Sequence, residues 1–134
     1  MAGVSALPCP TEHAEQVALF QIASIKAKTD DRWLLLYAVP NGGKRSIGVA
    51  VKLKAEGAKA GVPDMFLPVA IGGNHGLYVE LKRVRGGALS PEQRAWIALL
   101  RGQGYCVAVC RGCTKAADAI RHYLAGLPVT DAQL

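Results

Sequence analysis

No apolar run in this 134-residue chain approaches the roughly 20 residues that a membrane-crossing helix needs. Its first residues also lack a basic segment followed by an apolar one, the mark of a secretory leader. A cytoplasmic protein with no membrane partner is therefore expected. There is no internal repeat, no low-complexity tract, and no helix-turn-helix or zinc finger to read bases. Cysteine is scarce, at four residues (Cys9, Cys106, Cys110 and Cys113). Cys110 and Cys113 have C-x2-C spacing with Cys106 upstream, which invites zinc. No second such pair and no nearby His-x3-5-His completes the set, so reduced, mostly buried thiols are the better expectation. Acidic residues are short too. Lys plus Arg number 16 against 10 for Asp plus Glu, a formal net charge of +6. That balance favours a polyanionic partner.

What remains is enough for one domain, since 51% of residues are apolar and 19% charged. Residues 1–10 read as a loose N-terminal segment, 11–125 as the domain and 126–134 as a frayed tail. Thr11 caps a first helix that carries Glu12, Glu15 and Gln16 in its opening turns and ends near Lys26 to Lys28. Val17, Phe20 and Ser24 lie on one stripe, widened by Leu19, Ile22 and Ala23. Arg32 to Val39 reads as a buried strand stopped by Pro40. Asn41-Gly42-Gly43 is a turn, and Lys44 and Arg45 after it could hold a phosphate or simply be solvated. Residues 46–56 alternate like a strand but carry a helix cap at Ser46 and a stop at Gly57. Helix is the preferred assignment.

Two strands follow, Asp64 to Val69 and Leu77 to Arg83, joined through the glycine-rich turn Gly72-Gly73-Asn74-His75-Gly76. Ser90-Pro91-Glu92-Gln93 is a capping box by residue type and opens a helix with Ala95, Trp96, Leu99 and Leu100 as its apolar stripe. Tyr105 to Cys110 is another buried strand, and Thr114 opens a last helix closed by Gly126-Leu127-Pro128. This order predicts an α/β fold with a mixed central sheet flanked by helices.

The chemistry centres on Asp64, Glu80 and Lys82. In a strand, residues two apart share a face, so Glu80 and Lys82 project together while Val79 and Leu81 enter the core. A hairpin brings Asp64 beside Glu80. Two carboxylates, with the Leu81 carbonyl as a third oxygen, suit a hard divalent cation. Such an ion acidifies water and offsets phosphate charge, and a lysine beside it can steady that charge. The same charges also fit a solvated hairpin. Cations cluster around the trio: Lys44, Arg45, Lys52, Lys54 and Lys59 precede it, and Lys82, Arg83, Arg85 and Arg94 follow or join it. Of these, Lys44, Arg45, Lys52, Lys59, Arg83 and Arg85 are candidates for DNA contact. The histidines read as surface residues, and Trp33 and Trp96 as core.

Pro63-Asp64 followed by Glu80-Leu81-Lys82, between a helix bearing Glu12 and a helix bearing Gln93, resembles the PD-(D/E)xK nuclease superfamily. Gly61-Val62-Pro63-Asp64, the Tyr78 to Lys82 strand and Leu89-Ser90-Pro91-Glu92-Gln93 resemble more narrowly the VRR-NUC nucleases, especially small stand-alone forms from phages and prophages. The resemblance runs from Thr11 to about Leu124. It implies a restriction-endonuclease-like α-β-(α)-β-β-α-β-α core and Mg2+- or Mn2+-dependent hydrolysis of DNA, in a bacterial or phage-infected cell. Asp64 and Glu80 map onto its metal-binding acids, Lys82 onto its catalytic lysine and Gln93 onto its helix glutamine. Glu12, with Gln16 beside it, best matches the first-helix glutamate, and Glu15 competes for that role. A role in the capping box alone fits Gln93 equally well. Stand-alone relatives imply a homodimer acting on branched DNA such as four-way junctions. The alternatives are a restriction-like or end-processing nuclease, and a non-catalytic nucleic-acid-binding module on the same fold.

Overall fold

Both strong helix caps form as their sequences dictate. Thr11 Oγ1 accepts from Ala14 N and opens α1 (Glu12–Lys26). Ser90 and Gln93 complete a reciprocal capping box at the start of α3 (Pro91–Gly102). A computed structural model describes residues 8–40 and 46–132, so the Asn41-Gly42-Gly43 turn and the candidates Lys44 and Arg45 lie outside the described residues. The remaining elements, in chain order, are β1 (Tyr37–Ala38), α2 (Ile47–Ala55), β2 (Met65–Leu67), β3 (Leu77–Lys82), β4 (Cys106–Arg111) and α4 (Gly112–Leu124).

The sheet order is β1-β2-β3-β4, with β1–β2 and β2–β3 antiparallel and β3–β4 parallel. A parallel pair needs a crossover, and α3 supplies it. The mixed sheet flanked by helices is the α/β architecture expected. α1 and α4 cover one face, where Leu19, Ala23, Ala116, Ile120 and Tyr123 pack on Leu77, Val79, Leu81, Ala108 and Cys110. On the opposite face Ile97 and Leu100 of α3 pack on Val107 and Val109.

The structure departs from the sequence reading in four elements. Arg32 to Val39 is not one buried strand. Asp30 accepts from Arg32 N and pairs with the Arg32 guanidinium at 2.7 Å, which winds Asp31–Leu35 into a 3-10 helix and leaves only Tyr37–Ala38 for the sheet. Leu34 and Leu35 are accordingly exposed, while Trp33 and Leu36 are buried. On α1 the buried line is Glu15, Leu19 and Ala23, and Val17 is exposed. On α3 Ile97 and Leu100 are buried, whereas Leu99 is exposed. The last helix starts two residues early, at Gly112, because its cap comes from a distant residue: Glu15 Oε2 accepts from Cys113 N. Gly112 has φ +83°, and a Cβ there would lie 2.9 Å from Val84.

Both ends of the described residues are tied down near the sheet. Arg83 donates from Nε to Pro10 O (3.2 Å) and from Nη2 to Cys9 O (3.1 Å). Far from fraying as expected, the segment after α4 returns to the edge strand. Ala132 N donates to Val109 O, Asp131 Oδ1 accepts from Val109 N, and Arg101 pairs with Asp131. A bare sheet edge presents unpaired backbone groups, and these bonds cover the middle of β4.

Candidate active site

Pro63 breaks the β2–β3 ladder at the position where Asp64 is needed. The register pairs Met65 with Val79, so one step further sets Asp64 opposite Glu80. Proline has no N–H to contribute. At the diverging strand end the Asp64 carboxylate stands in for a strand carbonyl, accepting from Leu81 N at 2.7 Å. Gly61 sets the approach. Its φ is +93°, and a Cβ would fall 2.6 Å from the backbone of Glu92, so glycine lets the chain lie flush against the start of α3.

Glu80 and Lys82 do share a face of β3, but that face is not solvated. Glu80 is 1% exposed and Lys82 5%. Buried charges persist when they are paired and hydrogen-bonded. Lys82 Nζ lies 3.4 Å from Glu80 Oε1. Gln93 links the two: its Nε2 donates to Glu80 Oε1 (2.9 Å) and its Oε1 accepts from Lys82 Nζ (3.2 Å). The same Oε1 accepts from Ser90 N. Gln93 therefore completes the capping box and grips the acid–lysine pair at once, two roles that the sequence left as alternatives.

Burial, and then the charge of Asp64, push the Glu80 carboxyl up to about 8, against the pull of Lys82. Asp64 is also raised, first by burial and further by Glu12, with the Leu81 N–H and Lys82 opposing. Glu80 Oε2 is buried and has no hydrogen-bond partner. Such an orphaned oxygen costs free energy unless something fills it. Among the described residues no group of three or more His, Cys, Asp or Glu side chains converges. An all-side-chain cage of the zinc type is thus absent there. Two carboxylates and an orphaned oxygen fit a Mg2+- or Mn2+-type ion, which completes its shell with carbonyls, water and substrate.

The structure separates the two first-helix acids. Glu12 and Gln16 line an open cleft of about 960 Å3 together with Asp64, Val17, Phe20, Ser24 and Tyr37. Val17 and Ser24, expected on the core stripe, line this cleft instead, while Phe20 both lines it and packs against the core. Glu15 points away, to the α4 cap. Among the cations, Lys52 and Lys59 are exposed on and after α2, Arg85 is exposed beyond β3, and Arg83 is engaged with Cys9 and Pro10. The Cys110 thiol is pushed up to about 12 by burial, which makes it inert.

A feature missed in the sequence is an aromatic row across the Glu80 face. Phe66 stacks on Tyr78 with centroids 4.3 Å apart, and Tyr37 and Tyr105 meet Phe66 edge-on, each at 5.9 Å. Strand parity was the available signal: Phe66 and Tyr78 lie two places from Asp64 and Glu80, Tyr37 pairs with Phe66, and Tyr105 stands two places before Val107, the partner of Tyr78.

The VRR-NUC domain family model matches residues 11–114. The chain belongs to the VRR-NUC family. A solved structure named VRR_NUC domain protein is similar over 95% of this chain and 99% of its own, with a TM-score of 0.75 and 26% sequence identity. Among curated proteins none matches. The fold is the restriction-endonuclease-like one, the domain is of a nuclease type, and DNA is the substrate class that the family implies. Among the described residues no helix is long and apolar enough to cross a membrane.

Proposed function

We propose that this VRR-NUC domain is a divalent-metal-dependent endonuclease that cuts branched DNA. The observation that carries the reading is Glu80 Oε2, a buried carboxylate oxygen without a partner beside Asp64. Asp64, Glu80 and the Leu81 carbonyl would hold Mg2+ or Mn2+, which when bound acidifies water and offsets charge on the scissile phosphate. Gln93 fixes Glu80 by its Oε1 and so keeps Oε2 free for that duty. Lys82, already oriented by Gln93, would offer its ammonium to the negative charge that develops on the phosphate. Glu12 and Gln16, facing Asp64 from α1, would position the attacking water from the cleft side. Lys52, Lys59 and Arg85 would hold flanking phosphates, with Lys44 and Arg45 joining them.

A homodimer fits the same reading. α2 exposes Ile47, Val49 and Val51, and no residue along it is buried. A second copy covering that apolar helix would set two sites at a fixed spacing, which suits a four-way junction.

The test is incubation with Mg2+ or Mn2+ and labelled duplex, flap and four-way-junction DNA, with sedimentation in parallel. Junction cleavage by a dimer is expected, abolished in Asp64→Ala and Glu80→Ala. Equal cutting of linear duplex would favour a restriction-like enzyme, and cutting only at ends an end-processing one. Binding without cleavage would leave a non-catalytic module.

A further inference from the structure

The aromatic row continues the site rather than filling the core. α3 packs on β4, and Tyr37 and Phe66 at the far side of the same face remain half-exposed. The rings are held rigidly. Phe66 lies over Gly76, where a Cβ would come within 2.7 Å of its ring, and is backed by Tyr78. Tyr37 rests edge-on against Phe66, is 51% exposed, and borders the cleft that Asp64 and Glu12 also line. Val39, two residues beyond Tyr37, donates its N–H to Asp64 O. Tyr37 therefore sits about 7 Å along the strand from the acid, within reach of a nucleotide next to the scissile phosphate.

From this geometry we infer that Tyr37 is a stacking platform for an unpaired nucleobase adjacent to the cleavage point. The inference rests on the nuclease reading above and adds the basis of its selectivity. A base inside a duplex already stacks on both faces and gains nothing from Tyr37. A base freed at a branch has an open π-face, and an aromatic ring backed by fixed neighbours receives it without losing side-chain freedom. The net charge of +6 favours a nucleic acid as the occupant over an uncharged apolar partner.

The experiment uses the full chain in EDTA, so that no strand is cut, and a flap DNA with 2-aminopurine at its first unpaired position. Quenching of the probe on binding is expected for the wild type and for Tyr37→Phe. In Tyr37→Ala the quench disappears and flap affinity falls about 5- to 150-fold, with affinity for fully paired duplex unchanged. Undiminished quenching in Tyr37→Ala would overturn the inference. So would an equal loss on flap and duplex. A shift from dimer to monomer on sedimentation of Tyr37→Ala would also overturn it, by assigning the ring to a seam between copies. Failure of the nuclease reading shows separately, as a wild type that cuts nothing in Mg2+ or Mn2+.

Discussion

The two faces of β3 are built from alternate residues of one six-residue strand and have opposite tasks. Leu77, Val79 and Leu81 meet α1 and α4 with side chains that need no partner of their own. Tyr78, Glu80 and Lys82 meet the α3 side, where each buried charge must be answered by another group. The first face contributes stability through burial alone. The second surrenders some of it to keep two carboxylates and an ammonium out of water. The strand shows how a fold can place charge at its centre: the apolar face anchors the backbone that the polar face requires.

Matched substitutions should split the faces. Glu80→Gln is expected to lower cleavage at least about 100-fold in the junction assay while the protein still melts cooperatively. Leu77→Ala should do the reverse, costing about 2–5 kcal/mol in denaturant titration with cleavage per folded molecule retained. Parallel losses of stability and rate in both variants would contradict the division of labour.

Gln93 stands where the comparison is least clean, because it serves the helix and the charges together. Ser90→Ala removes the cap alone and should cost about 1 kcal/mol without changing the rate. Gln93→Ala should add a rate loss of about 10- to 100-fold, since Glu80 and Lys82 lose their common partner. Equal rates in the two variants would reduce Gln93 to a capping residue.

The last contrast between the faces is in pH. The Glu80 carboxyl is raised from 4.5 to about 8 in the fold, so the folded state binds more protons than the unfolded one between those values. Metal-free stability should therefore be greatest below about 4.5 and decline as pH rises towards 8, whereas Leu77→Ala shifts the whole curve without altering its slope. Adding Mg2+ should flatten the decline. A metal-free stability that rises over that window would contradict the burial of Glu80.

Much of this arrangement was legible because it depends on neighbours in sequence. The Ser90 cap, the parity of Glu80 and Lys82, and the cap and stop around α2 are local signals, and each formed. What could not be read depends on side-chain partners that composition and periodicity do not name. The apolar run from Arg32 to Val39 looks like a strand until Asp30 captures Arg32. Between Glu12 and Glu15 the sequence favours Glu12 by resemblance alone, and only the packing of α4 turns Glu15 inward and leaves Glu12 facing the cleft. The charged pair on β3 looked solvated because nothing local reveals that α3 folds over it.

The bond from Glu15 to Cys113 has a consequence for how the chain reaches its native state. It joins residues 98 apart and satisfies the first turn of the last helix with a carboxylate from the first. α4 therefore cannot acquire its full stability as an autonomous unit, and a nascent chain must hold α1 in waiting until the C-terminal third has emerged. Formation of that contact closes the molecule end to end, so unfolding should be all-or-none, with no stable fragment that keeps one terminal helix without the other.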